Sequence, residues 1–119
     1  MITADTIVDR YIASWNERDA DTRRALVTAT FAEDAEYLDP LLSGRGLDEI
    51  DAMIAAAQQQ FPGHEFTLAG EPDQHGGRVR FSWLLAPTGE AAVAGGTDFA
   101  QLAADGRIQT VTGFLDAVD

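Results

Sequence analysis

Residues 95–108, GGTDFAQLAADGRI, decide the fold of this chain. Alternating positions share one face of a β-strand, and here that face carries Asp98, Ala100 and Leu102. Asp105-Gly106 is typical of a two-residue hairpin turn, and the run Ile108–Leu115 that follows it reads as the returning strand. The stretch therefore predicts an antiparallel hairpin whose inner face is apolar except for the carboxyl group of Asp98.

Strand periodicity extends upstream of this hairpin. One strand has Val79, Phe81, Trp83 and Leu85 on one face, with Arg78, Arg80 and Ser82 on the other. Phe66 and Leu68 form an earlier alternating pair. The Gly95-Gly96 pair is expected to loosen the start of the strand that carries Asp98, because glycine has no side chain to pack.

The first half of the chain has helical periodicity instead. One stripe consists of Ile7, Val8, Tyr11, Ile12 and Trp15; a later one consists of Leu47, Ile50, Met53, Ile54, Ala57 and Phe61. Pro62-Gly63 ends the later helix. Between the two, a short helix holds Ala25, Leu26 and Ala29, and Asp19 or Asp21 caps it.

A turn and a short strand are predicted before the third helix. Phe31–Asp34 reads as the turn and Glu36–Asp39 as the strand, which Pro40 ends because proline cannot donate to a sheet. Tyr37 and Asp39 are two residues apart, so they share one strand face.

The order of these elements defines the fold class. Helices come first and a sheet follows, which predicts an α+β protein of one domain, residues 1–119, with a curved antiparallel sheet wrapped around the first and third helices. A sheet that curves around a helix leaves a cavity between the two, and the inward residues of both line it.

Composition narrows the chemistry. The formal net charge is −12, so nucleic acid and anionic membrane surfaces are poor partners. With no Cys and no Lys, thiolate chemistry and lysine Schiff bases are excluded. Because only two His are present and no nucleotide-binding fingerprint occurs, we expect no metal and no organic cofactor. No signal segment or membrane span is evident, which favours a cytoplasmic protein.

Three residues far apart in sequence carry a family resemblance: Tyr11 in DRYIASWNERD, Asp39 in AEYLDP and Asp98 in GGTDFAQLAADGRI. Their order and surroundings resemble the cone-shaped, cystatin-like domains of the nuclear transport factor 2 (NTF2) and SnoaL-like superfamily. Within it they resemble the ketosteroid isomerases, which place a Tyr, a general-base Asp followed by Pro, and a second Asp in one apolar pocket. The resemblance covers nearly the whole chain.

The resemblance implies a role for each of the three residues. Asp39 would be the general base, Asp98 a protonated donor to a developing oxyanion, and Tyr11 the second donor. Each also has a structural interpretation. Asp39 can cap a strand end, Asp98 can be tied to backbone or to an Arg, and Tyr11 can pack in the core with its hydroxyl bonded to a neighbour.

The inward aromatic positions predict an apolar, substrate-binding wall for a small carbonyl compound. They are Trp15, Tyr37, Met53, Phe61, Phe81, Trp83 and Phe114. The polar run Gln58–Gln60 is expected near the mouth of the pocket. His64 and His75 read as turn residues, but histidine-dependent dehydratases share the fold, which leaves His75 as an alternative participant.

These observations predict a cofactor-free acid/base enzyme acting on a hydrophobic carbonyl compound. Isomerisation, polyketide-cyclase-like ring closure and dehydration stay open, since each begins with removal of an acidic C–H. The alternative is a non-catalytic module of the same fold that binds a small ligand or another protein. As in relatives, a homodimer through the outer sheet face is expected.

Overall fold

The computed structural model describes residues 3–117 of the chain. Its helices are α1 (Ala4–Asn16), α2 (Ala20–Thr30) and α3 (Gly46–Gln60). Its strands are β1 (Phe31–Leu38), β2 (Ser43–Arg45), β3 (His64–Leu68), β4 (Asp73–His75), β5 (Arg78–Pro87), β6 (Ala94–Leu102) and β7 (Ile108–Leu115). The predicted α+β class, with helices first and a curved sheet after them, is confirmed.

The strands form a single sheet in the order β2-β1-β7-β6-β5-β3, with β4 paired to β5 at one end. The prediction of a wholly antiparallel sheet was wrong. The sheet is mixed, because β1 runs parallel to β7. The other pairs are antiparallel. Local patterns set the direction of hairpin neighbours, but β1 and β7 come from opposite ends of the chain, so no turn reveals their relative direction.

Strand β1 begins earlier than predicted, directly where α2 ends. Phe31–Asp34 is therefore strand and not turn. The pairing of β1 with β7 shifts between Phe31 and Glu36. These two residues are five positions apart in β1, whereas their partners, Ile108 and Thr110, are two positions apart in β7. Such a bulge changes which face consecutive side chains occupy.

The two N-terminal helices begin at side-chain caps. Thr3 accepts from the Thr6 amide at the start of α1, and Asp19 accepts from the Thr22 amide at the start of α2. Asp19, and not Asp21, is thus the cap of α2. The predicted second helix is confirmed and holds Ala25, Leu26 and Ala29, but the residues that it buries are Arg23, Val27 and Thr30.

The β6–β7 connection is longer than the predicted two-residue turn. It spans residues 103–107, where the Gly106 amide donates to the Ala103 carbonyl at 2.9 Å. Gly106 has a φ of 90° there, a conformation that favours glycine.

The core lies between the concave face of the sheet and the inner faces of α1 and α3. Its fully buried aliphatic residues include Ile7, Val8, Ile50, Ile54, Val79 and Val111. On the opposite, convex face, Phe99 and Phe114 are exposed and pack edge to face with ring centroids 6.3 Å apart. Within residues 3–117, no helix has the length and apolar character needed to cross a membrane.

Candidate active site

An apolar cavity of about 140 Å³ opens between the concave face of the sheet and helices α1 and α3. Its polar side chains are Tyr11, Tyr37, Asp39 and Asp98, so the three residues that carry the resemblance all line one space. Four aromatic rings form most of the wall: Trp15, Phe61, Phe66 and Trp83.

A direct hydrogen bond joins two of the predicted site residues. The hydroxyl of Tyr11 on α1 donates to Oδ2 of Asp98 on β6 at 2.7 Å. Asp98 is only 1% exposed, and Tyr11 is buried on the inward face of its helix. The predicted inward orientations, from helical spacing in α1 and from strand alternation in β6, are the reason that these groups meet.

Burial changes the acidity of Asp98. Loss of hydration raises the pKa of its carboxyl to about 6, and the charges of Asp39 and Asp116 act in the same direction. Hydrogen bonding by Tyr11 and by the nearby Trp83 indole lowers that pKa and so limits the rise. Asp98 therefore changes its charge within the range in which most enzymes operate.

Asp39 is held by three donors at the end of β1. Its Oδ2 accepts from the Tyr37 hydroxyl at 2.5 Å, and its Oδ1 accepts from the Leu41 and Leu42 amides, both at 2.7 Å. The loop after Pro40 therefore turns back on the carboxylate, as strand-end Asp residues commonly arrange. The structural interpretation of Asp39 is therefore correct, and the residue so fixed also lines the cavity, while its role as a general base stays a prediction.

Gly113 on β7 leaves space for the side chains of both acids. It pairs with Asp98 across the strands. A Cβ atom at position 113 would stand 2.8 Å from Asp98 Oδ1 and 3.1 Å from Asp39 Cβ, both closer than ordinary contact. The absence of a side chain at this position makes room for both acids at one end of the cavity.

The two tyrosines remain protonated donors. Burial raises the pKa of Tyr11 well above its usual value, and the charge of Asp98 raises it further. Burial also raises the pKa of Tyr37, as do Asp98 and the hydrogen bond to Asp39. Neither phenol can therefore serve as a base near neutral pH.

Trp15 lines the cavity and carries a donor that is itself buried. Its indole Nε1 is buried and has no hydrogen-bond partner among the described residues. It acts on the nearby Tyr11 hydroxyl, where it lowers the pKa of the phenol against the larger effect of burial. A buried N–H without a partner is uncommon in folded proteins.

Three of the predicted wall residues lie outside the cavity. Phe81 and Met53 are buried in the core, where the Phe81 ring packs edge-on against Tyr11 with centroids 5.0 Å apart. Phe114 is 55% exposed on the convex face of the sheet. The pairing of β7 with β6 explains Phe114, because it shifts between Gln101 and Leu102, where β7 holds one extra residue. Ile108 and Val111 therefore both point inward, and position 114 turns outward.

Sequence reasoning missed other parts of the wall. Phe66 and Leu85 had the right alternation but were not assigned to the site. The remaining members are Ile12, Leu41, Leu42, Ala57, Ala94 and Leu115. Leu41 and Leu42 belong to the loop after Pro40, for which no periodicity exists, and only the folded chain reveals that they border the mouth.

Other polar residues that the sequence drew attention to lie elsewhere. Gln58 turns away from the cavity into the helix junction, where its amide donates to the backbone oxygens of Trp15 and Glu17. His75 is exposed on β4, and neither it nor His64 lines the cavity. Within residues 3–117, no three His, Cys, Asp or Glu side chains lie close enough together to hold a metal ion.

A curved sheet packed on three helices, with a cavity between them, defines the NTF2-like class of α+β cones. Residues 8–111 match the family model of the SnoaL-like domain, and the chain belongs to that family. No curated protein sequence matches the chain.

Solved structures agree with this assignment. A proposed isomerase of the SnoaL-like family from Agrobacterium tumefaciens is 53% identical, with a TM-score of 0.89 over 94% of this chain and 96% of that one. A SnoaL-like protein of unknown function from Burkholderia thailandensis is 16% identical, with a TM-score of 0.76 over 96% and 95%. A proposed SnoaL-like polyketide cyclase from Jannaschia sp. CCS1 is 18% identical, with a TM-score of 0.70 over 92% and 85%. The last two share the fold.

Proposed function

We propose that this protein is a cofactor-free acid/base enzyme that removes a proton next to the carbonyl group of a small, largely apolar compound. The observation that carries the proposal is the buried Tyr11–Asp98 hydrogen bond beside a second carboxylate, Asp39, in one apolar cavity. Isomerisation and ring closure next to a carbonyl both use a base and donors to the enolate oxygen, and the names of the similar proteins from Agrobacterium and Jannaschia agree with that chemistry.

The chemistry begins at Asp39. Its carboxylate takes the α-proton of the substrate, and the C–H electron pair forms a carbon–carbon double bond while the carbonyl oxygen becomes an enolate. Neutral Asp98 donates a hydrogen bond to that oxygen, and Tyr11 donates a second one once its hydroxyl turns from Asp98 Oδ2 to the ligand. Return of the proton from Asp39 to another carbon gives an isomer. Attack of the enolate carbon on a second carbonyl gives ring closure.

The donor role requires Asp98 to be neutral. Its pKa of about 6 leaves part of the population protonated near neutral pH. An apolar ligand that displaces water from the cavity disfavours the carboxylate further, because desolvation penalises the charged form. Substrate binding therefore increases the fraction of Asp98 that can donate a hydrogen bond.

A binding module of the same fold is the competing function, and proton exchange separates the two. In D₂O, an enzyme of this kind exchanges the α-protons of a ketone for deuterium, which NMR detects without knowledge of the natural substrate. The test uses neutral ketones that run from one ring to four. Exchange above the buffer rate supports the proposal, whereas binding without exchange for every ketone establishes the binding module.

Replacement of Asp39 by Asn is expected to lower the exchange rate by about 10²–10⁴-fold, the usual contribution of a general base. Asn keeps an oxygen for the Leu41 and Leu42 amides, so the loop and the affinity for ligand are expected to stay within about threefold, a change below 1 kcal/mol. Exchange rates by NMR and affinities by calorimetry measure the two effects separately.

Asp34→Asn is the matched control for that variant. Asp34 lies on the same strand but is exposed, with its carboxylate on the Gln109 side chain and away from the cavity. The control should retain the parent rate. An Asp39→Asn protein with undiminished exchange would remove Asp39 from the proposed mechanism.

The pH dependence distinguishes the roles of the two acids. If neutral Asp98 is the donor, kcat/KM for exchange falls as pH rises through about 6, the pKa of Asp98 in the free protein. If Asp98 were instead the base, the same profile would rise through that pH. Initial exchange rates between pH 4.5 and pH 8.5 measure the direction, and we expect the fall.

A further inference from the structure

The cavity restricts its ligand in size, charge and polarity at once. Its volume of about 140 Å³ is close to the roughly 150 Å³ of an engineered cavity that holds benzene, and below the roughly 300 Å³ at which pockets for drug-sized ligands begin. A single ring fits that space. Four fused rings exceed that space, so they would have to extend through the mouth into water or displace the wall.

The wall resists such displacement because its rings brace one another. Trp15 packs against Tyr37 and Phe66 with centroid distances of 5.6 and 5.5 Å, and Phe66 packs edge-on against Trp83 at 5.3 Å. Contacts of this geometry add attraction beyond burial alone. Widening the cavity would separate several of these rings together.

Charge excludes anionic ligands. Asp39 and Asp98 line the cavity, and none of the lining side chains among the described residues is basic. A carboxylate or phosphate in this space would meet like charge with little water to screen it. The mouth offers no compensation, since Leu41 and Leu115 border it with 76% and 47% of their surfaces exposed.

Polar groups occupy only one end of the cavity. Tyr11 is bonded to Asp98, Tyr37 is bonded to Asp39, and the two acids meet over Gly113. The rest of the lining is aromatic and aliphatic, and the Trp15 indole N–H is buried behind it beside Tyr11. A ligand with a second polar group at its far end would bury that group without a partner.

We infer that the substrate of this site is a neutral, single-ring compound with one reactive oxygen, such as a cyclic enone or a lactone, and neither a steroid nor an acidic or carrier-bound polyketide. The inference rests on the proposed function for its chemistry. For the size and charge of the ligand it rests on the cavity alone. The apolar mouth then receives the part of the molecule that lies farthest from the oxygen.

Phenols test the inference because their hydroxyl group imitates an enol. The panel consists of 4-methylphenol, 4-hydroxybenzoate and estradiol, which represent a neutral single ring, an anionic single ring and a neutral four-ring molecule. Calorimetry and thermal denaturation with the full-length protein measure binding. We expect 4-methylphenol to bind, 4-hydroxybenzoate to bind at least about tenfold more weakly because of charge repulsion, and estradiol not to bind.

A cavity-filling variant locates the bound phenol. Ala57 lines the cavity, whereas its neighbour Ala56 on α3 is exposed. Ala57→Leu should abolish binding of 4-methylphenol, and Ala56→Leu should leave it unchanged. The ligand panel uses the parent protein, so the inference can be tested even if Ala57→Leu folds poorly.

Three binding results would contradict the inference. Tighter binding of estradiol than of 4-methylphenol overturns the size limit, and equal or tighter binding of 4-hydroxybenzoate overturns the charge limit. Absence of binding by 4-methylphenol also overturns the inference. The proposed enzyme function fails separately, through absence of proton exchange, and that result would leave the ligand class intact for a binding module.

Discussion

Replacement of Asp98 by Asn is expected to make the protein more stable near neutral pH and much less active. The parent protein holds a buried carboxyl whose pKa of about 6 exceeds the ordinary 3.8. Ionisation of this group in the folded state therefore costs about 2–3 kcal/mol relative to the unfolded chain. Asn is neutral at all pH values and avoids that cost. Loss of a properly placed donor is expected to lower proton exchange about 10²-fold.

The sign of the pH effect follows from the direction of the shift. Because the folded-state pKa is the higher one, the folded protein binds more protons than the unfolded chain between about pH 4 and pH 6. The contribution of Asp98 to stability is fully present below pH 4 and is lost as pH rises through 6. The advantage of Asp98→Asn should therefore be absent at pH 3.5 and complete by pH 7.5.

Urea denaturation at several pH values measures this difference, with Asp116→Asn as the control. Asp116 is also acidic and lies near Asp98, but it is exposed. Its substitution should change stability little at any pH. If the stability of Asp98→Asn relative to the parent does not depend on pH, then the folded state does not raise the pKa of Asp98.

The Tyr11–Asp98 pair could be predicted from sequence because each residue lies in a regular element. Helical spacing from Ile7 to Trp15 determines that Tyr11 points inward, and alternation around Ala100 does the same for Asp98. The sequence pattern does not show that α1 packs on β6, and that part of the prediction came from the family resemblance.

Irregular backbone accounts for the incorrect predictions. The irregular pairing of β7 with β6 changes the alternation along β7, so Phe114 faces outward although its type suggests a wall residue. The three hydrogen bonds to Asp39 depend on the loop through Leu41 and Leu42, and no periodic pattern describes that loop. The shape, volume and hydrogen-bond geometry at the mouth therefore could be determined only from the folded structure.

The Gly95-Gly96 pair was expected to loosen β6, but Gly96 has a packing role. A Cβ atom at position 96 would stand 2.5 and 2.7 Å from two atoms of the Trp83 indole and 2.8 Å from the Phe114 carbonyl oxygen. The indole lies directly across the glycine on the neighbouring strand, where the two residues pair. Glycine at this position is thus what allows Trp83 to lie flat in the wall of the cavity.

Gly96→Ala is accordingly expected to destabilise the protein by about 3 kcal/mol, the upper end for overpacking, because the backbone oxygen cannot move as a flexible side chain would. The φ angle of Gly96 is not positive, so steric contact and not backbone conformation causes the loss. Trp83 must also shift, and it borders Asp98, so the pKa of that carboxyl should rise further as it loses the indole. Chemical denaturation and NMR titration of the carboxyl measure the two effects.

A double-mutant cycle with Trp83→Phe identifies the cause. The smaller phenyl ring lacks the indole atoms that the new methyl group meets, so Gly96→Ala should cost about 1–2 kcal/mol less in the Trp83→Phe background than in the parent. The contact with the Phe114 carbonyl remains in both backgrounds, and part of the cost should remain with it. Equal costs in both backgrounds would mean that Trp83 is not what Gly96 accommodates. A smaller cost with Trp83→Phe would show that the Trp83 indole limits which side chains position 96 of β6 accepts. The same indole limits the rise of the Asp98 pKa, so the packing of the wall and the acidity of the site would depend on one side chain.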